Sequence, residues 1–306
     1  MLPYLSGPTQ QFLSDLQNMN SEMNTLSQQM SSGLRVNSVA DDPASVPQIM
    51  ELEAQIGRLQ QTNTNLTNLQ PELQSGDSAL QQAMTNIESA ISIASQASNS
   101  LTTAGSMTAL ATQVQGIMAN LVKLSNTSSN GRYIFSGDLD QQALYTLDAT
   151  QPTGVRQLAT ATSTRAITDS TGTQIWLSKT SSEIFDARNP DTTPANDNVF
   201  AAVNSLLTAL QAGSSSGALA SIANLQSAHD HLNQELGYYG IGENRVTDTL
   251  NSESQILVSV QTNLSGLRDV DMATAAVQMN QLTVQQQAAL TSRAKIGGIN
   301  LFDFLA

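Results

Sequence analysis

The sequence predicts a mainly α-helical chain with a small β-rich insert. Its N- and C-terminal segments are expected to form an antiparallel coiled coil, a long-helix rod, with the central β domain at the outer end. Three observations lead to this. Apolar residues repeat at heptad spacing toward both ends of the 306-residue chain. The periodicity changes between Arg132 and Pro194. Neither terminal seam has, within its own segment, a core to bury against, so the economical solution brings the two ends together.

Near the start, Phe12, Leu16, Met19, Met23, Leu26 and Met30 follow at alternating steps of four and three, an a/d seam that Gly33 should end as a C-cap glycine. A second helical pattern follows the stretch Ser38–Pro47. It runs through Ile49, Leu52, Ile56 and Leu59, then from Leu66 in register to Leu101. Two starts fit: Asp42 as cap with Pro43 at the first helical position, or a Ser45-Val46-Pro47-Gln48 capping box. Pro71 predicts a kink or a join between two helices. A helix over about Thr108–Ser125 precedes a polar breaker, Asn126–Gly131.

From Arg132 to about Pro194 short β-branched and aromatic pieces appear: Tyr133–Phe135, Tyr145–Leu147, Arg165–Thr168 and Gln174–Leu177. Turn residues Asp169–Thr173 make the last two a hairpin, and the single Trp176 is expected in the core of the insert. Helix returns at Val199–Val203, with Leu206, Leu207 and Leu210 on one face. After the loop Gly213–Gly217, helix runs from about Ala218 to Leu264, weakly interrupted near Gly237–Gly242 and carrying Glu253 in one seam position. A last helix carries Met272, Ala276, Met279, Leu282, Ala289 and Ile296 before the apolar end Leu301–Leu305. The expected divisions are 1–42, 43–131, 132–194, 195–266 and 267–306.

Composition narrows the function. Net charge is −13 and the 12 basic residues are scattered, which argues against a nucleic-acid partner. Ser, Thr, Asn and Gln fill roughly two-fifths of the chain, and no apolar run approaches the ~18 residues of a membrane span, so membrane insertion is not expected. Cysteine is absent, excluding disulfides and thiolate chemistry. Met1-Leu2-Pro3-Tyr4 does not look like a Sec-type signal, so the protein is expected to stay in the cytosol or leave by a route that reads no such signal.

No catalytic constellation stands out, and no cofactor or metal is expected. His229 and His231 are two positions apart, about 200° around a helix, so they cannot share a metal and are expected on solvated helix surface. The glycines of Gly237–Gly242 lack dinucleotide spacing. Asp41-Asp42 and Asp269/Asp271 are placed at helix starts, where carboxylates cap free amides.

Ser32-Gly33-Leu34-Arg35-Val36-Asn37-Ser38-Val39-Ala40-Asp41-Asp42-Pro43-Ala44 resembles the N-terminal signature of the flagellin superfamily. Leu267–Ala273 resembles the start of its terminal helix, and Asn300–Leu305 its leucine–aromatic tail. Gly131-Arg132-Tyr133-Ile134-Phe135-Ser136-Gly137 resembles the class found at the hook–filament junction, as do Ile184-Phe185, Asn198–Phe200 and Gly240–Arg245. The family's Gln-Ala-Asn element near the end is replaced here by Thr291–Gly298, which counts against the bulk filament subunit.

The resemblance implies a structural subunit of the bacterial flagellum, extracellular, exported through the flagellar type III channel without a cleaved signal. Terminal helices would line the inner tube and the β domain would face outward. Partners would be further copies, neighbouring hook-associated and filament subunits, and an export chaperone on about Leu264–Ala306. Assembly contacts are expected at the seam residues above, at Leu34, Arg35, Asn37, Asp41 and Asp42, and at Leu264, Leu267, Asp269, Asp271, Met272, Met279, Leu282, Leu301, Phe302 and Leu305. Segments Met1–Leu34 and Leu267–Ala306 are expected to be largely disordered alone, because single amphipathic helices are marginal in water, and to fold on assembly. A short flagellin is the alternative; an adhesin or enzyme built on the insert is a third reading.

Overall fold

The computed structural model describes residues 7–99, 103–164, 166–169, 172, 174–176 and 178–297. The chain is mainly helical with a small β-rich insert, as its periodicity predicts. Helix α1 spans Gly7–Ser32 and stops at Gly33, whose φ of +73° is the left-handed conformation a C-terminal glycine supplies. Helix α2 spans Val46–Ala97, so the later start is the one used. The Ser45 hydroxyl does not close a capping box; it donates to Asp42 Oδ2 at 2.7 Å.

Pro71 lies inside α2 and no join forms there. Proline removes one amide, but Leu69 and Leu73 on either side are buried in the core and hold the helix through it. Helix α3, Ala104–Ser125, is capped by Thr103, whose hydroxyl accepts from the Ser106 amide. Residue 101, the expected end of the preceding pattern, lies outside the described residues.

Among the described residues, the insert holds three antiparallel two-stranded hairpins. Strands β1 (Ser128–Ser129) and β2 (Arg132–Tyr133) turn at Asn130-Gly131. The expected polar breaker is therefore half hairpin, because Asn-Gly adopts the positive φ that a two-residue turn demands. Strand β3 (Tyr145–Leu147) pairs with β4 (Val155–Gln157), and β5 (Ala166–Thr168) pairs with β6 (Gln174–Trp176). The expected core role of Trp176 concerns a side chain outside the described ones. Helix α4 is one turn, Ser181–Ile184, closed by a Thr180/Glu183 capping box. Helix α5 is Val199–Gln211, α6 is Ser215–Arg268 and α7 is Met272–Gly297.

The chain divides into two compact units: residues 1–58 with 256–306, and residues 59–255. In the second, the apolar stripes of α2, α3, α5 and α6 share one core with Ile134, Phe135, Leu144 and Phe185 of the insert. Phe185 stacks on Phe200 at 5.9 Å and meets Phe135 edge-on at 5.8 Å. The buried Asp186 ties the insert to α5. Its carboxylate accepts from Asn198 Nδ2 at 2.8 Å and from the Tyr145 hydroxyl at 3.2 Å, and it pairs with Arg188 at 2.8 Å. Burial, with the Asp186 charge beside it, pushes the Tyr145 hydroxyl well above its ordinary pKa.

Helix α6 runs unbroken through Gly237–Gly242, contrary to the expected interruption. Tyr239, buried, fills the space left by Gly76 of α2: a Cβ at Gly76 would lie 2.5 Å from its ring. The close fit stabilises α6 where its glycines lower helix propensity. The two histidines face apart, His229 toward Glu88 of α2 and His231 toward the Glu183 carbonyl, so His231 is a packing residue rather than solvated surface.

Candidate assembly site

The first unit brings the remote chain ends together. Helices α1 and α7 lie antiparallel: Gln286 Nε2 donates to Asn20 Oδ1 at 2.9 Å, and Arg293 Nη2 donates to Thr9 Oγ1 at 2.6 Å. The Arg293 guanidinium also covers the Phe12 ring, 5.7 Å from its centre. Between them Leu26, Ala275 and Leu282 are buried, with Met19, Met23, Met30 and Met279 packed around them. Leu16 is half-buried. The expected seam is thus real, but Met272 is displaced from it: it lies 48% exposed at the first turn of α7, and Ala275 takes the inward position.

A second cluster lies where α2 and α6 enter this unit. Val36, Ile49 and Leu264 are buried, and Leu267 packs against them. Arg268 Nη1 pairs with Glu53 at 3.1 Å.

Between these clusters the two connectors, 33–45 and 269–271, form one joint. Leu34 and Asp269 make an antiparallel bridge in which the Val270 amide donates to the Gly33 carbonyl at 3.0 Å. The Arg35 and Val36 amides both donate to the Arg268 carbonyl, at 2.7 and 3.2 Å. Arg35 Nη2 donates to the Leu267 carbonyl at 2.5 Å while Nη1 donates to Asp42 Oδ2 at 3.0 Å. One guanidinium therefore satisfies an end carbonyl of α6 and fixes the loop leading into α2.

Asp41 does not sit at a helix start as expected: it lies in the loop before α2 and closes a turn there. Asp41 Oδ2 accepts from the Ser38 amide at 2.7 Å and the Asn37 amide at 2.8 Å, and these bonds hold its carboxyl below the usual carboxylate range. The Ser45 hydroxyl, then Arg35, lower Asp42 in the same way. The Asn37 side chain donates to the Leu34 carbonyl at 3.0 Å.

Asp271 begins α7 as expected. The Thr274 hydroxyl and amide and the Ala273 amide donate to its carboxylate and lower its pKa. Asp269 does not sit at a helix start. It follows the last turn of α6, accepting from the Ser265 hydroxyl at 2.6 Å and from Arg268 Nε at 3.3 Å. Sequence reading missed this because Asp269 and Asp271 look alike until the end of α6 is known.

Leu301, Phe302 and Leu305 lie outside the described residues. Among the described ones, Gln29 was not foreseen; its Nε2 donates to the Arg35 carbonyl at 2.9 Å and ties α1 to the joint. No spacing rule flags it, because it lies on the polar side of the α1 seam. Large apolar side chains remain outward on the two terminal helices: Leu13, Val277, Val284 and Leu290. Among the described residues no helix is long and apolar enough to cross a membrane, and no group of three or more His, Asp or Glu side chains converges.

Residues 6–140 match the bacterial flagellin N-terminal helical region, and residues 222–305 match the bacterial flagellin C-terminal helical region. The chain is 30% identical over 207 residues to flagellar hook-associated protein 3 of Escherichia coli (strain K12), an overlap of 66% of this chain and 64% of that protein. It is also 30% identical over 211 residues to the protein of the same name from Salmonella typhimurium, with the same shares. The chain thus spans just under two thirds of the length of these relatives. Among solved structures, a flagellar hook-associated protein from Vibrio parahaemolyticus superposes with a TM-score of 0.63 at 18% identity, covering 75% of this chain and 100% of that one. A flagellar hook associated protein-3 from Legionella pneumophila gives 0.62 at 14% identity, covering 72% and 98%. These two likenesses establish a shared fold.

Proposed function

We propose that this chain, which matches the N- and C-terminal helical regions of bacterial flagellin, is a member of that family and a structural subunit of the flagellum, an adaptor at the hook–filament junction. Its work is polymerisation, with no reaction catalysed. The observation that carries this reading is the joined pair of chain ends. The α1/α7 pair buries Leu26, Ala275 and Leu282 between two 26-residue helices, a thin core, and leaves Val277, Val284 and Leu290 outward. Such a pair is marginal alone and gains stability when neighbouring copies cover the outward residues, at roughly 25 cal/mol per Å² of apolar surface.

The relatives named hook-associated protein 3 support the junction over the filament. In this reading the terminal segments order fully on assembly, the joint around Arg35 and Asp42 sets the angle between subunits, and the β-rich insert faces outward. Neighbouring hook-associated and filament subunits are the partners in the polymer. Before export through the flagellar channel, a chaperone holds the C-terminal region from about Leu264.

Copy number tests the reading. Quantitative mass spectrometry of purified flagella should find a ring-sized handful of this chain for each flagellum. A count in proportion to filament length would make it a short flagellin instead.

A further inference from the structure

Asn130 and Gly131 form the tip of the β1–β2 hairpin, where Ser129 pairs with Arg132 and Ser128 with Tyr133. Both tip residues have positive φ, 52° and 78°, and both are exposed. No hydrogen bond engages the Asn130 side chain or the Gly131 amide among the described residues. A ladder of two pairs is marginal in water and opens locally with ease. Glycine also leaves its own peptide nitrogen unscreened by a side chain.

We propose that Asn130 is a site of spontaneous covalent modification, with water as the co-reactant, converting it to aspartate and isoaspartate. The Gly131 nitrogen gives up its proton to hydroxide and bonds to Asn130 Cγ. The Cγ–Nδ2 bond breaks and the departing nitrogen takes up a proton to leave as ammonia, closing a five-membered succinimide. Water then adds to one of the two ring carbonyls. Cleavage of the Cγ–N bond gives aspartate; cleavage of the original peptide C–N bond gives isoaspartate. Nothing is oxidised or reduced.

Either product places a carboxylate beside Arg132, whose Nε already donates to Asp140 Oδ2 at 2.6 Å. Isoaspartate also adds a methylene to a two-residue turn, which the Ser129–Arg132 register cannot absorb. The change stays at the tip, because the Tyr133 amide donates to the Asp140 carbonyl at 2.8 Å and the Ile134 amide to the Thr127 carbonyl at 3.0 Å.

Asn37 provides an internal comparison. It is exposed and precedes Ser38, but the Ser38 amide donates to Asp41 at 2.7 Å and Asn37 Nδ2 donates to the Leu34 carbonyl at 3.0 Å. Both groups that would react are held.

The full folded protein, kept warm at mildly alkaline pH in heavy-oxygen water and mapped by peptide mass spectrometry, gives the test. Asn130 should be lost first, faster as pH rises, with one heavy oxygen in both products, and Asn130→Gln should remove the corresponding acidic charge variant. Loss of Asn37 ahead of Asn130 would overturn the proposal. So would conversion of Asn130 only after denaturation.

Discussion

Arg35 and Leu267 stand 232 positions apart in the sequence and are joined by one hydrogen bond, the guanidinium donating to the carbonyl at 2.5 Å. Through it the loop after α1 closes the end of α6, and Asp42 holds the same guanidinium from the other side. Two remote connectors become one mechanical element.

Charge reversal there should be selective. Arg35→Glu removes both bonds and sets a carboxylate against Asp42, at a local cost of about 1–2 kcal/mol for a partly exposed site. Amide hydrogen exchange should rise across 33–45 and 269–271, leave residues 59–255 protected, and accompany weaker assembly. Unchanged exchange at both connectors would show that Arg35 does not hold them.

Acid should loosen the same joint. Asp41 and Asp42 are held below the ordinary carboxylate range by bonds to their ionised forms. Their contribution is therefore complete above the unfolded carboxylate pKa and is lost as pH falls through the lower folded value. Limited proteolysis should cut 33–45 progressively faster across that acid window. Asp42→Asn should show fast cutting at neutral pH and a shallower acid response.

The glycine beneath Tyr239 should be intolerant. Gly76→Ala sets a Cβ 2.5 Å from a ring buried by α2 and α6, an overpacking that costs about 1–3 kcal/mol and lowers the melting temperature. Gly116→Ala in α3, where a Cβ meets nothing within 4 Å, should stabilise by about 1 kcal/mol. Equal melting temperatures for the two variants would contradict the packing described.

Leu282→Ala should act on the terminal pair alone. It empties one of three buried positions between α1 and α7, at about 2–3 kcal/mol. In a pair with so thin a core that is enough to expose residues 7–32 and 272–297 to protease while residues 59–255 resist. Intact terminal helices in this variant would mean that their stability comes from elsewhere.

Much of this was legible in the sequence. The seam from Phe12 to Met30 and the stop at Gly33 follow from heptad spacing and the need for positive φ, both local properties. The join allowed at Pro71 does not form, because the rule for an isolated helix ignores Leu69 and Leu73, whose burial in the core outweighs one missing amide bond. The hairpin at Asn130-Gly131 was hidden by its shortness: two-residue strands carry no alternation to detect. Of the joint, Arg35, Asp41 and Asp42 could be named from sequence. Their role in closing α6 could not, because the Leu267 carbonyl is backbone and leaves no mark on residue type.

In the proposed role this protein builds the short segment between hook and filament by packing its terminal helices into a tube. Cryo-electron microscopy of isolated flagella, with a tag placed in the β-rich insert, tests it most directly. Tagged density should be confined to one band at the distal end of the hook, with α1 and α7 innermost and the insert on the outer wall. Tag along the whole filament, or none on the flagellum, would contradict it.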